Sequence, residues 1–252
     1  MQMNNLPLIS VVTVVLNDVQ NIERTIESVI TQTYSNVEYI IIDGVSTDGT
    51  IEKIAKYKDE ITSFISESDK GLYDAMNKGT DKATGEWIIY MNSGDRFLDS
   101  EVLSKIFIEN RDKIINKSVI YTDTITDKNG VKSKVKARSL KYIWMGPPSI
   151  HQSQLVKTSI AKSKPFNLKF KINADYDFCY YAFKNDASFI YLPQLIISSC
   201  NADEGISKTA NPYFILKENF VVSKQYSNFF QVVKLFLVNI LKFFYSTLRN
   251  LV

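Results

Sequence analysis

Residues 9–16 read ISVVTVVL and residues 37–42 read VEYIII, two nearly unbroken apolar runs rich in β-branched residues, with IERTIESVI between them at 22–30. A strand that stays apolar at odd and even positions alike buries both of its faces, as strands of a parallel sheet covered by helices do. Between the runs the period changes, and Ile22, Ile26, Val29 and Ile30 fall on one helical face. Two buried strands joined by an amphipathic helix make a βαβ unit. The pattern recurs with a helix from about Thr50 (Ile51, Ile54, Ala55), a strand near Ile61–Ile65, a helix over Leu72–Ala83 and a strand at Trp87–Met91. The alternation predicts an α/β fold with a Rossmann-like, mostly parallel sheet flanked by helices.

After Asp99 the pattern loosens. Val119–Thr126 and Val131–Ala137 flank Asn129-Gly130, which predicts an antiparallel hairpin. A helix is expected over Asp175–Lys184, then two short strands at Phe189–Tyr191 and Leu195–Ser199. No repeat or low-complexity linker divides the chain before about residue 210. The expected organisation is one domain over 1–210, with halves of about 1–100 and 101–210, and a tail over 211–252.

The chain has 252 residues, 45% hydrophobic and 23% charged, which is enough apolar material for a sizeable core and excludes a disordered class. Two distant cysteines, Cys179 and Cys200, and one histidine, His151, exclude zinc fingers and H-E-x-x-H zincins. Both cysteines read as small buried hydrophobes. Gly44-Val45-Ser46-Thr47-Asp48-Gly49 has P-loop glycine spacing but is followed by Thr50 where Lys is required, and no G-x-G-x-x-G follows the first strand. A P-loop ATPase and a Rossmann dehydrogenase are thereby excluded. Net charge is +3 overall, of which residues 213–252 carry +4 and the remainder −1, no footprint for nucleic acid. MQMNNLPLIS carries no secretory signal, so the body of the protein is expected in the cytoplasm.

In wound α/β sheets ligands sit at the carboxyl ends of the strands. Here those ends are Asn17-Asp18, Asp43-Gly44 and Asn92-Ser93-Gly94-Asp95. Asp95 reads either as a hard-oxygen ligand for a divalent cation or as the start of a turn before Arg96. Asp43 reads as a nucleotide contact or as a turn aspartate before glycine. Ser68-Asp69-Lys70-Gly71 either positions a phosphate or simply opens the next helix. His151 could touch acceptor or phosphate, or be a hydrogen-bonded wall residue. Trp144 with Pro147-Pro148 is a sugar-stacking wall or core packing. Asp177 reads as a residue that orients a neighbour.

Taken together, SVVTVVLN, Gln32-Thr33-Tyr34, EYIIIDGVSTDGT, SDKGLYDAMNKG and ATGEWIIYMNSGD closely resemble the family-two inverting glycosyltransferases of GT-A fold. His151-Gln152-Ser153, Asn173-Ala174-Asp175-Tyr176-Asp177-Phe178 and Gly205-Ile206-Ser207 resemble the acceptor half of that family, so the resemblance covers about residues 8–208. It implies a nucleotide-sugar half over about 1–100 and an acceptor half over about 101–210. Thr13, Val14, Val15, Asn17 and Asp43 would hold nucleobase and ribose, with Asp69, Lys70, Ser93 and Gly94 beside the nucleotide. Asp95 would bind Mg or Mn at the diphosphate, and Asp175 would be the general base. His151, Gln152, Asp177 and Trp144 would be secondary residues on the acceptor side. The sequence departs from the family's Asp-Ser-Asp-Asp at Asn92-Ser93-Gly94-Asp95, which keeps only the last aspartate, and Ala174 replaces the usual acidic residue before the base.

The resemblance implies a UDP-sugar donor and a glycan or polyprenyl-linked acceptor in bacterial surface polysaccharide synthesis, such as lipopolysaccharide O-antigen or capsule. Two rivals remain, a catalytically silent nucleotide-sugar binding module and a nucleotidyltransferase of related α/β fold. The tail FFQVVKLFLVNILKFFYSTLRNLV at 229–252 is apolar with a narrow polar stripe through Gln231, Lys234, Asn239, Lys242, Ser246 and Arg249. Lys234 and Lys242 interrupt every spanning window. It is therefore expected as a helix lying on the inner face of the cell membrane, the alternative being packing on the domain or in a homo-oligomer.

Overall fold

In the computed structural model, which describes residues 6–201 and 211–249 and side chains as far as Asn239, β1 (Ile9–Val15) lies between β2 (Val37–Asp43) and β4 (Trp87–Tyr90) and runs parallel to both. Every residue of β1 is buried, as its unbroken apolar run requires. Its two faces feed two cores. Ile9, Val11 and Val15 pack with Ile22, Ile26 and Val29 of α1 (Ile22–Ile30) and with Trp87 and Phe107. Val12 and Val14 pack with Tyr73, Ala75 and Met76 of α3 (Leu72–Lys82) and with Tyr176, Phe178 and Tyr180 of α7 (Ala174–Lys184). The short α2 (Thr50–Ile54) and β3 (Ser63–Ser66) complete the first half.

Among the described residues nine strands form one sheet in the order β3-β2-β1-β4-β8 (Gln154–Lys157)-β6 (Val119–Lys128)-β9 (Phe189–Asn201)-β5 (Arg96–Phe97), with β7 (Val131–Val135) on β6. The first half is parallel throughout, as the sequence predicts. The expectation of a mostly parallel sheet fails beyond β4, because β4–β8, β6–β8, β6–β7 and β5–β9 are antiparallel and only β6–β9 is parallel. The sheet is mixed. The chain enters β8 (Gln154–Lys157) from short 3-10 turns at 140–153, not by a crossover helix on the sheet face, so nothing forces a parallel entry. Both β8 and β5 (Arg96–Phe97) are too short to carry a period in the sequence.

The predicted hairpin is present as β6 (Val119–Lys128) and β7 (Val131–Val135), with Asn129 and Gly130 both at positive φ as a type I′ turn needs. The two strands expected at 189–191 and 195–199 are one, β9 (Phe189–Asn201). Its pairing with β6 shifts register between Tyr121 and Asp123, opposite the Pro193-Gln194 stretch. Proline lacks an N–H for the ladder and is tolerated at such an irregularity.

Short helical turns α4 (Val102–Ser104) and α5 (Arg111–Ile114) follow β5, and α6 (Thr158–Ser163) follows β8. The segment after residue 210 is two helices, α8 (Pro212–Tyr226) and α9 (Phe229–Arg249). Val222 of α8 is fully buried in the core that also holds Tyr180 of α7. Gly205-Ile206-Ser207 lies outside the described residues.

Candidate active site

The carboxyl ends of β1, β2 and β4 meet at one edge of the sheet. Asp43 closes β2 and is fully buried. Its Oδ2 accepts the amides of Val45 and Ser46, each at 3.0 Å, and the Ser66 hydroxyl at 2.6 Å, while Oδ1 has no partner. A buried carboxylate oxygen without a donor is costly and points to a donor that arrives from outside the chain. Asn17 follows β1 at positive φ, accepting Thr47 N at 2.8 Å. The side chains of Thr13, Val14 and Val15 are turned into the sheet and its cores. The Thr13 hydroxyl is taken up by Met91 O at 2.8 Å and shares a 3.0 Å bond with Tyr39, and both valines belong to the cores. Their side chains pack the sheet, which leaves Asn17 and Asp43 as the polar side chains, of those the sequence assigns to nucleobase and ribose, that stand at the strand ends.

The Asn92–Asp95 loop follows β4 and is fixed from α1. Gly94 sits at φ +90°, a conformation that suits glycine, and the Arg24 guanidinium reaches its carbonyl from Nε at 3.1 Å and Nη2 at 2.5 Å. Thr25 Oγ1 accepts Gly94 N at 3.0 Å and donates to Asp95 O at 2.7 Å. Ser93 donates to Asp18 Oδ2 at 2.6 Å. Asp95 is buried, its Oδ1 accepting Asn201 N at 2.9 Å and its Oδ2 accepting Gln152 Nε2 at 2.6 Å. Burial pushes its carboxyl above the usual range against the bonds from Asn201, Gln152 and the Cys200 thiol.

A carboxylate offers about four lone-pair positions, and the bonds from Asn201 N and Gln152 Nε2 leave two. Among the described residues no group of three His, Cys, Asp or Glu is placed to hold a metal ion. The lone pairs left on Asp95 fit a cation that would take one oxygen from Asp95 and its remaining ligands from a diphosphate and water.

His151 and Gln152, adjacent in sequence, reach the two acidic residues that the sequence singles out. Gln152 holds Asp95, and His151 Nδ1 lies 3.2 Å from Asp175 Oδ2. On its other side His151 Nε2 lies 3.0 Å from Asn92 Nδ2. An amide nitrogen can only donate, so Nε2 accepts and the ring proton sits on Nδ1, aimed at Asp175. Asp175 opens the first turn of α7 with about a fifth of its side chain exposed. Its Oδ1 accepts Tyr176 N at 2.8 Å and the Tyr73 hydroxyl at 3.2 Å. Tyr73 also bonds Ile172 O, and burial, then the charge of Asp175, pushes its hydroxyl well above the ordinary value, which keeps it a donor.

Asp69 accepts Gly71 N at 2.7 Å and stands close to the β2 end, since a Cβ on Gly44 would lie 2.7 Å from its Oδ2. Lys70 is exposed, and its ammonium makes no ion pair among the described residues. Trp144 is half-buried against the core that holds Ile143. Asp177 points away from Asp175. It is 1% exposed, lies 3.1 Å from Lys164 Nζ and accepts the Tyr226 hydroxyl at 3.0 Å, so its charge is engaged in holding helices together. Tyr73, Arg24 and Thr25 were not legible as site residues, because each acts through a partner far away in sequence.

Solved proteins share this architecture. Staphylococcus aureus TarS 1–349 in complex with UDP-GlcNAc superposes with a TM-score of 0.70 at 18% identity, over 85% of this chain and 66% of that one. The mannosyltransferase PcManGT from Pyrobaculum calidifontis, in complex with GDP-Man and Mn2+, gives 0.66 at 14% identity over 89% and 66%. This chain spans about two thirds of each, and the likeness defines a GT-A-like α/β fold. The profile described as Glycosyl transferase family 2 matches residues 10–172, so the chain belongs to that family and is a glycosyltransferase. A "PGL/p-HBAD biosynthesis glycosyltransferase" of Mycobacterium tuberculosis is 25% identical over 219 residues, covering 81% of this chain and 80% of the relative. An uncharacterised glycosyltransferase of Methanocaldococcus jannaschii is 26% identical over 262 residues, covering 96% and 89%.

Proposed function

We propose that this glycosyltransferase moves a sugar from a UDP-sugar to a hydroxyl of a glycan or polyprenyl-linked acceptor in a single inverting displacement, and that it serves bacterial surface polysaccharide synthesis. The observation that carries the reading is the pair His151-Gln152, which ties Asp175 to the loop bearing Asp95. The link supports a reading in which one carboxylate serves the acceptor and the other the leaving nucleoside diphosphate. The unpartnered Oδ1 of Asp43 supports a nucleobase N–H as its missing donor.

In this reading Asp175 takes the proton of the acceptor hydroxyl as that oxygen attacks the anomeric carbon. His151 Nδ1 and the Tyr73 hydroxyl hold the carboxylate in one orientation, and together with Tyr176 N they leave one lone pair, on Oδ2, for the incoming proton. Lys70, which makes no ion pair among the described residues, offers a cation to the diphosphate. Asp95 would hold Mg or Mn, which when bound supplies charge neutralisation at the leaving diphosphate. Attack from the side opposite the leaving group inverts the anomeric centre.

The tail supports residence on the inner membrane surface. Phe229, Phe230, Val233, Phe236 and Leu237 are exposed at i, i+1, i+4, i+7 and i+8, an apolar stripe along α9. Among the described residues no helix is long and apolar enough to cross a membrane. The test of function is a thermal-shift screen of nucleotide sugars followed by NMR of the product anomer. A UDP-sugar that stabilises the protein and yields the inverted anomer supports the reading, and a retained anomer or release of inorganic diphosphate refutes it.

A further inference from the structure

Glu218 lies in α8, far along the chain from the site, and is 6% exposed. Its Oε1 accepts Lys171 N at 2.7 Å, and its Oε2 accepts Ile172 N and Asn173 N, each at 3.0 Å. Three successive amides thus converge on one carboxylate, directly before α7 begins at Ala174. Among the described residues no Lys or Arg pairs with Glu218. A cation would satisfy the buried charge whatever the local backbone did, whereas three consecutive amides satisfy it only when residues 171–173 hold one conformation.

The same segment is gripped from its other side, where the single Tyr73 hydroxyl proton is shared between Ile172 O and Asp175 Oδ1. Asn173 Nδ2 donates back to Ile215 O of α8 at 3.2 Å, and Asn173 O accepts Asp177 N at 3.0 Å in the first turn of α7. The far end of α8 is also tied to α7, through Tyr226 to Asp177 at 3.0 Å and Ser227 to Tyr180 at 2.8 Å. α8 therefore lies along α7 with Glu218 at the end where Asp175 sits.

We infer that Glu218 is a positioning residue for Asp175. Its carboxylate fixes the backbone that enters α7 and so aims the Asp175 side chain at His151 and the acceptor. The inference rests on the reading of Asp175 as the base. It makes α8 part of the catalytic architecture and not an appendage. Misplacement of a reacting group by about 1 Å costs up to 10²-fold in rate, which sets the scale expected.

The test compares E218Q, D175N and the double variant in the full chain. Glutamine keeps one acceptor oxygen and turns an NH2 toward the amides, so E218Q is expected to speed amide exchange in residues 171–176. UDP affinity by calorimetry should stay within about twofold, and kcat for UDP release from UDP-GlcNAc should fall at least about tenfold with KM unchanged. The double variant should be no slower than D175N alone. Wild-type exchange and kcat in E218Q, with D175N inactive, overturns the positioning role and leaves the base reading standing. Full activity in D175N overturns the base reading and the inference with it. A further loss in the double variant beyond D175N shows Glu218 acting elsewhere and also overturns it. If E218Q does not fold, E218D keeps the charge on a shorter stem and faces the same criteria.

Discussion

Replacing Asp175 by Asn exchanges one oxygen for an amide nitrogen and leaves the shape of the site intact. Oδ1 can still accept Tyr176 N and the Tyr73 hydroxyl. The new Nδ2 faces His151 Nδ1, so the ring must move its proton to Nε2, which now points at the donor Nδ2 of Asn92. A flip of the Asn92 amide resolves the conflict, because its Oδ1 is buried without a partner in the native arrangement and would accept the new N–H. No hydrogen bond is lost overall, and stability should change by less than about 1 kcal/mol. The rate should not survive, since an amide cannot take the acceptor proton. Removing a general base costs about 10²–10⁴-fold, or about 2.7–5.4 kcal/mol of barrier. UDP affinity by calorimetry should match wild type, the melting temperature should hold, and single-turnover transfer should fall by at least about 10²-fold. Transfer at the wild-type rate would show that the base lies elsewhere, and lost UDP binding would show that Asp175 belongs to the donor site.

Asp43→Ala removes a buried carboxylate oxygen that lacks a donor among the described residues, and UDP binding should weaken by about 1–3 kcal/mol in a folded protein; unchanged affinity would refute the base contact. Asp95→Ala should abolish the tightening of UDP binding by Mn and slow transfer strongly, and activity that survives both this change and EDTA would show that no metal is needed. Burial opposes the charge of Glu38, but the bonds from Ser10, from the Thr84 hydroxyl and amide and from Gly85 N outweigh it and hold its carboxyl below the ordinary value. That stability is therefore present above the unfolded value of about 4.3 and is lost as pH falls through the lower folded value. E38Q should cost about 1–3 kcal/mol in urea melts at pH 7, with a gap from wild type that narrows below about pH 4; a pH-independent gap would contradict the sign. Truncation after Asn228 should leave a folded enzyme that no longer sediments with anionic liposomes, while truncation before Pro212 should lower the melting temperature sharply by exposing the core around Val222; loss of an oligomer without any change in liposome binding would make α9 a packing element.

The parallel first half was legible because its information is local. A β-branched run buried on both faces and an apolar stripe at helical spacing each lie within ten residues, and hydrophobic burial enforces both. The Asn129-Gly130 hairpin was legible for the same reason, since only residues tolerant of positive φ build that turn. The family motifs likewise pointed to Asp43, Asp95 and Asp175 as residues to inspect. The antiparallel second half was not legible, because β8 and β5 hold four and two residues and take their direction from how the chain returns to the sheet.

What the tertiary structure alone decided is which of those residues meet. His151 and Asp175 are 24 residues apart, Gln152 and Asp95 are 57, and Asn201 and Asp95 are 106. Glu218 bonds the Asn173 amide across 45 residues. No local pattern encodes such pairs, since each polar side chain finds its partner only after burial removes water as the competing one. The same packing engages the Thr13 hydroxyl within the sheet and the Asp177 carboxylate between α7 and its neighbours. The sequence by itself determined the parallel βαβ core and the chemical types at its strand ends. The packing of α1, α7 and α8 around that edge decided which of those groups stand within reach of one another, because geometry across the sheet depends on every element between them.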